Sequence, residues 1–394
     1  MALWYDIVCR GEVMRYGHFE RIEINLRALA PVFIASGEEL SKKEYIFDRS
    51  NSMLHVPDLP KLIAFLSENS LIHVYEDFLL HPGKNDLYMF LNENGIRKEK
   101  YPAFVSYSID AGEVASSEHF RSVLTFIKGS DGLPYIPGSS LKGAIRTAIA
   151  AKLLKKYSYE SKAADIERAA GDPENSRKYL SREANSLENH IFCRLGFADP
   201  KNPDRVRWDS IVNDFMRGLS ISDSTPIGLE NLTICGKYDR KPDGTTKSLP
   251  IYRECLAPGT RTKFVMTLDR LLLGKVGIDL KFIEDALHSF ADMHYEKFEQ
   301  RFSELPEDAC IKADNGVDII LGGGSGYVSK TLVYPLIGER KRAVKLVSKM
   351  MIKQFRNHKH EKDEGLYGIS PRTLKTTRYK GAYYQMGRCE LVFK

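Results

Sequence analysis

The stretch Leu133-Pro134-Tyr135-Ile136-Pro137-Gly138-Ser139-Ser140-Leu141-Lys142-Gly143-Ala144-Ile145-Arg146 changes character in its middle, from extended chain to helix. Pro137 and Gly138 break the extended run and let the backbone turn tightly. Beyond them Leu141, Ala144, Ile145, Ala148 and Ile149 recur at the spacing of a helix with one buried face. Ser139 or Ser140 suits the cap of that helix. The N–H groups of its first turn, with the helix dipole behind them, make an anion site. Lys142 in the first turn and Arg146 one turn later add positive charge on a shared face. Gly143 has no side chain to keep a second backbone away, whether a ligand's or the protein's own. An ordinary capped amphipathic helix accounts for the same residues equally well.

Working outward, Phe19–Ile34 opens with Ile22, Ile24 and Leu26 alternating with Glu23, Asn25 and Arg27, the pattern of a half-buried strand. Asp58 precedes a helix-like run from Leu59 to Leu66, and Phe104–Ile109 reads as a strand. Residues 155–190 are charged and poor in large apolar side chains, as in a surface insertion or solvated helices. Later, Asn231–Asp239 and Ser248–Cys255 flank a turn-rich segment, Thr262–Leu268 is a further strand, and Leu280–Phe302 is amphipathic and helical. Val317–Leu321 runs into Gly322-Gly323-Gly324-Ser325-Gly326, Glu339–Phe355 is helical, and Cys389–Phe393 is an alternating strand. The pattern predicts an α+β protein in two halves, 1–204 and 205–394, each long enough for a βαββαβ unit.

At 394 residues, 43% hydrophobic and 28% charged, the chain has the composition of a globular protein with room for two domains. No apolar run approaches the about 20 residues that span a bilayer, and the first residues lack the basic-then-apolar pattern of a signal peptide, which predicts a cytoplasmic protein. Cys9, Cys193, Cys235, Cys255, Cys310 and Cys389 are scattered without a C-x-x-C pair, which argues against a structural zinc site; no metal and no cofactor is expected. The net charge of +6 is unevenly spread: residues 321–394 hold 16 Lys and Arg against 5 Asp and Glu, a local +11 that leaves the first 320 residues at −5. A basic last quarter on a mildly acidic body points to a polyanion partner.

Three segments fit such a partner. The helix start contributes Gly138, Ser139, Ser140, Lys142, Gly143 and Arg146. The segment Gly322, Gly323, Gly324, Ser325, Gly326, Tyr327 and Lys330 is a flexible loop exposing backbone to phosphate, with a ring to stack a base. It misses the nucleotide-binding P-loop because Ser329 replaces the glycine before Lys330-Thr331, and misses G-x-G-x-x-G because Tyr327 holds its last position. Third, Lys341, Lys345, Lys349 and Lys353 recur every four residues along a helix whose Val344, Val347, Met351 and Phe355 should face inward. Downstream, Arg372, Lys375, Arg378 and Lys380 interleave with Tyr379, Tyr383 and Tyr384, which suits single-stranded nucleic acid.

Enzyme-like fragments are weaker. Ser139-x-x-Lys142, Ser222-Asp223-Ser224 and Lys330-Thr331 echo a penicillin-binding set with two of three elements broken. His358-x-His360 with Asp363 has metal-ligand residue types but reads as a polar loop, and His18 is a lone candidate base.

Taken together, these segments resemble the RAMP superfamily of CRISPR-associated proteins, and more narrowly the fifth-subunit family of the type III-A (Csm) interference complex. Ala30–Glu38 is similar to the family's first strand and turn, and Tyr135–Arg146 to its most recognisable motif. Ile221–Ser224, Tyr252–Thr260, Gly322–Thr331, Ser370–Lys375 and Gln385–Gly387 follow in family order, so the likeness spans nearly the whole chain. The resemblance implies two ferredoxin-like (RRM-like) RAMP domains with helical insertions. It implies a place at the end of a complex, on the 3′ part of the crRNA, with target RNA, the repeated backbone subunit and cellular nucleases as further partners. It implies a role in crRNA maturation and assembly. Related backbone subunits cut RNA with an aspartate before the Pro-Gly-Ser-Ser-Leu-Lys-Gly segment. Neither Asp110 nor Asp131 clearly matches that loop, so no intrinsic nuclease is expected. The competing expectations are a metal-independent RAMP endoribonuclease of CRISPR repeat RNA, using His18, and a pure protein–protein module.

Overall fold

The computed structural model describes residues 7–9, 12–14, 17–81, 83, 86–117, 120–172, 180–199, 201–302 and 316–394. The alternating segment at the start forms β1 (Phe19–Ala28), the centre of an antiparallel sheet with β2 (Leu219–Ile221), β3 (Arg261–Asp269), β4 (Val317–Ile320) and β5 (Arg388–Phe393), in the order β2-β3-β1-β5-β4. Ile22, Ile24 and Leu26 are buried as the alternation requires, and Ile24 sits opposite Phe264 on β3 and Phe393 on β5. Helix α1 (Gly138–Lys156) follows β1 in the chain and α2 (Leu280–Lys297) follows β3. The path β1-α1-β2-β3-α2-β5 therefore has the βαββαβ order, with β4 added at the edge. Both helices pack side by side, with Lys152 3.1 Å from Asp285 and Lys155 donating to Ser289 at 2.9 Å.

A larger sheet is interleaved in the connections. It runs Ala35–Ser41, Ser122–Phe126, Thr246–Leu256, Leu232–Arg240, Val105–Asp110, Met53–Pro57, Ile46–Asp48, with Leu374–Tyr379 and Ala382–Gln385 joined to it through Leu232–Arg240. Both sheets take strands from either side of residue 204, so the expected division into 1–204 and 205–394 is not a division between sheets. Pairing follows matching apolar faces, which need not be close in sequence. One apolar cluster runs through both sheets and the helices; a smaller one, including Leu62, Leu66, Tyr75, Phe90 and Phe104, stabilises the helical region after Asp58, which caps its helix by accepting from Lys61 N–H at 3.1 Å.

The charged region 155–190 forms helices Glu160–Gly171 and Ser181–Phe192, with Ile166, Ala170, Leu187 and Ile191 buried; residues 173–179 lie outside the described set. The basic helix is α3 (Arg340–Gln354). Val344, Val347 and Met351 face inward as expected, but Phe355 is 46% exposed. The helix ends at Gln354, so its periodicity no longer directs residue 355.

Beneath α2 and β5, Glu299 lies 2.7 Å from His294 and contacts Arg388. Burial alone would push the Glu299 carboxyl up; the His294 imidazole and the Arg388 guanidinium outweigh that and hold it at about 2. A carboxyl depressed in the folded state stabilises above its unfolded pKa and loses that contribution as pH falls toward the folded value. Glu299→Gln should thus cost about 3 kcal/mol near pH 7. Urea midpoints of both proteins should converge as pH falls from about 5 toward 2; a gap independent of pH over that range would refute this role.

A second contrast lies within α1. A Cβ on Gly138 would collide with the carbonyl oxygens of Ile221 and Ser222, whereas one on Gly143 would meet nothing within 4 Å. Gly138→Ala should destabilise by about 1–3 kcal/mol. Gly143→Ala, in an exposed helix interior, should stabilise by up to about 1 kcal/mol. Denaturant titrations of the two variants should shift in opposite directions.

Candidate nucleic-acid interface

Helix α1 starts at Gly138 with Pro137 as its cap residue, and neither Ser139 nor Ser140 caps it through a side chain. Asp223 does so instead, accepting from Gly138 N–H at 2.8 Å. The segment Ile221–Ser224 is clamped to the turn: Ser224 Oγ accepts from Ile136 N–H at 2.9 Å, and Ser224 N–H donates to Ile136 O at 3.0 Å. The expected anion position at Gly138 is thereby filled by the protein's own carboxylate, as the helix dipole favours. Ser139 remains exposed and Ser140 half-buried.

Ser139, Ser140 and Gly143 line a cleft of about 430 Å³ whose other wall is Leu321, Gly322, Gly323, Ser329 and Lys330, with Ile34 and Ala35 also lining it. Two of the three segments singled out in the sequence thus meet face to face. The glycine segment is a packed turn rather than the flexible loop expected. Gly322, Gly324 and Gly326 have φ of +77°, +78° and +97°, conformations costly for other residues. Gly323 N–H donates to Phe33 O at 2.7 Å, Ser325 Oγ to Gly322 O at 3.0 Å, and Lys330 Nζ to Gly322 O at 2.6 Å. Ser325 and Ser329 are buried. Tyr327 is packed on α3, its hydroxyl against Met350 Sδ at 3.9 Å and accepting from Thr331 Oγ1 at 3.1 Å, so the ring is not offered to the cleft for stacking.

Lys142 and Arg146 do share a face, but not the one lining the cleft. At 3.6 residues per turn, 140, 143, 144 and 147 fall together and 142 and 146 fall away from them. The Arg146 guanidinium stacks on Phe192 at 3.4 Å and pairs with Asp214 at 2.9 Å and Glu188 at 3.5 Å. Desolvation lowers the Lys142 pKa, opposed by nearby Asp214 and assisted by Arg146. Sequence reasoning missed Thr147, which helical spacing from Gly143 would have found, and Ile34 and Ala35, which stand in the family-like stretch Ala30–Glu38 with no charge or hydroxyl of their own to mark them.

The cations of the basic quarter divide in two. Arg372 pairs with Asp363 at 2.6 Å, Lys375 with Asp239 at 2.8 Å, and Arg378 with Glu113 at 3.2 Å while stacking over Tyr383. Lys353 donates to the Asp172 carbonyl. Lys341, Lys345 and Lys349 form an exposed stripe on α3. Asp363 is also bound by His360 at 2.9 Å and Ser370 at 2.8 Å. Among the described residues no group of three or more His, Cys, Asp or Glu is placed to hold a metal ion. Asp110 and Asp131 form local turns, accepting from Gly112 and Leu133 N–H groups at 2.9 and 3.0 Å. His18 lies against Phe19, ring centroids 4.1 Å apart, and its carbonyl accepts from Arg270 N–H.

Residues 25–326 match the RAMP superfamily. The chain is 27% identical over 396 residues to the CRISPR system Cms protein Csm5 of Mycobacterium tuberculosis (strain CDC 1551 / Oshkosh), covering 95% of this chain and 98% of that protein. It is likewise 27% identical over 398 residues to the protein of the same name from Streptococcus thermophilus, covering 95% and 98%. In fold it is similar to a chain of a cryo-EM structure of a Csm-crRNA-target RNA ternary complex, with TM-score 0.63, 22% identity and coverage of 94% and 100%. It is also similar to the crystal structure of T. onnurineus Csm5, with TM-score 0.62, 21% identity and coverage of 93% and 99%. The family match covers more than half of its length, and this chain belongs to the RAMP superfamily.

Proposed function

We propose that this chain is the RNA-binding end subunit of a type III-A CRISPR Csm complex, holding the 3′ part of the crRNA and needed for crRNA maturation and complex assembly. The observation that carries the reading is the cleft itself, where the turn Ser139–Gly143 faces Gly322–Gly323 across about 430 Å³. The hydroxyls of Ser139, Ser140 and Thr147 and the missing side chain at Gly143 suit close approach by a sugar–phosphate backbone, and Lys330 supplies charge at the edge. The relatives' names and the ternary complex among the structural neighbours support the assignment to the Csm complex. Other Csm subunits and target RNA are the partners in this reading. The five-stranded and the larger sheet serve as the two RAMP-type units, divided by sheet rather than at residue 204. The chain acts by binding, not by cutting RNA.

Gly143→Glu, at a position where the first side-chain carbon has open space, places charge and bulk in the cleft and should weaken crRNA binding at least tenfold while leaving the unfolding midpoint near that of Gly143→Ala. Lys330→Gln should reduce the slope of log K against log salt by about 0.7, one phosphate contact on a single strand. Unchanged affinity and slope in both folded variants would remove the cleft from RNA binding. Purified protein incubated with CRISPR repeat RNA should leave it intact; cleavage abolished by His18→Ala would overturn the non-catalytic role.

A further inference from the structure

On the far side of the glycine turn lies a groove of about 1120 Å³, larger than the cleft. One bank is the hairpin of Leu232–Arg240 and Thr246–Leu256, which supplies Lys237, Lys241 and Lys247; the other is the end of α3 and the loop after it, which supplies Phe355 and His358. Lys375 and Arg372 also line it, but their charges are met by Asp239 and Asp363. The hairpin lysines therefore set the groove's positive potential.

The aromatic side is unusual for a solvent-facing loop. Phe355 is 46% exposed, its ring 5.7 Å from that of His358, which in turn lies parallel to His360 with centroids 6.0 Å apart. Flat rings beside lysines are the combination that holds a single strand, bases stacking on the rings while the cations follow the backbone. An acidic peptide would satisfy the lysines but offers nothing flat to Phe355 and His358.

The ridge between cleft and groove is cationic as well. The glycine turn presents Gly322 and Gly323 to the cleft, while Tyr327 lines the groove and Gly326 abuts Lys375. Under Gly324 sits Arg253, 9% exposed, over the Phe33 ring at 5.4 Å, its Nε without a hydrogen-bond partner.

We propose that this groove is a second seat for single-stranded RNA, and that one strand leaves the cleft, crosses the Gly322–Gly326 turn over Arg253 and stacks bases on Phe355 and His358. The continuity of the strand rests on the cleft reading above; the groove as an RNA seat does not.

The test uses the full chain and uridine-rich oligoribonucleotides bearing 4-thiouridine, with crosslinked peptides identified by mass spectrometry. Crosslinks are expected both in 138–147 and in 355–358. The surface variant Lys241→Gln/Lys247→Gln/Phe355→Ala should lose at least tenfold in affinity for a long strand. It should also lower the salt slope by about 1.4, two contacts on a single strand, and leave the crosslink at 138–147. Crosslinks at 138–147 alone, with unchanged affinity of the folded triple variant, would overturn the groove and leave the proposed function standing. Crosslinks at 355–358 alone would support the groove and overturn the cleft. A triple variant that binds RNA normally but no longer co-purifies with other complex subunits would make the groove a protein interface and overturn it as an RNA seat.

Discussion

The backbone of residues 28–34 is hydrogen-bonded to segments from four distant parts of the chain, and the position of everything around the cleft depends on it. Val32 exchanges both of its backbone hydrogen bonds with Leu256, at 3.1 and 2.8 Å. Pro31 O accepts from Gly387 N–H, Phe33 O from Gly323 N–H and Ile34 O from Ile127 N–H, while Leu29 and Ala30 N–H groups both donate to Arg388 O. A buried backbone group must find a partner, so this crossing fixes how close each segment comes and in what orientation. Glycine is required where they meet: a Cβ on Gly322 would strike Phe33 O, and one on Gly387 would strike Leu321 O. The cleft wall is held by main chain, which explains how a turn rich in glycine can be rigid.

Part of the charge near such a framework is consumed by it. Arg146, Arg372, Lys375 and Arg378 each hold a carboxylate, and Asp223 occupies the positive end of α1. The regional +11 of residues 321–394 is therefore not all displayed to a ligand. Cations facing solvent include the α3 stripe of Lys341, Lys345 and Lys349, then Arg356, Lys359 and Lys362, together with the hairpin lysines, which belong to the less basic part of the chain. The cleft, by contrast, is lined by hydroxyls, glycine and apolar side chains with Lys330 at its edge, so its selectivity would come from close fit more than from attraction.

Local periodicity and backbone demand are written in adjacent residues, and these the sequence by itself determined. The alternation at Ile22, Ile24 and Leu26 made a strand with one buried face, and the spacing from Leu141 to Ile149 made α1. The family-ordered segments were legible because each marks a place where only certain residues fit: Gly138 against Ile221, Gly322 against Phe33, Gly387 against Leu321. Tertiary structure alone decided which residues serve as partners across long separations. Asp223 rather than a neighbouring serine caps α1, Asp214 takes Arg146, and β1 pairs with β3 and β5 from the far end of the chain. It also decided which polar face of α1 meets the glycine turn, because a helix repeating every 3.6 residues presents several faces and only packing selects among them.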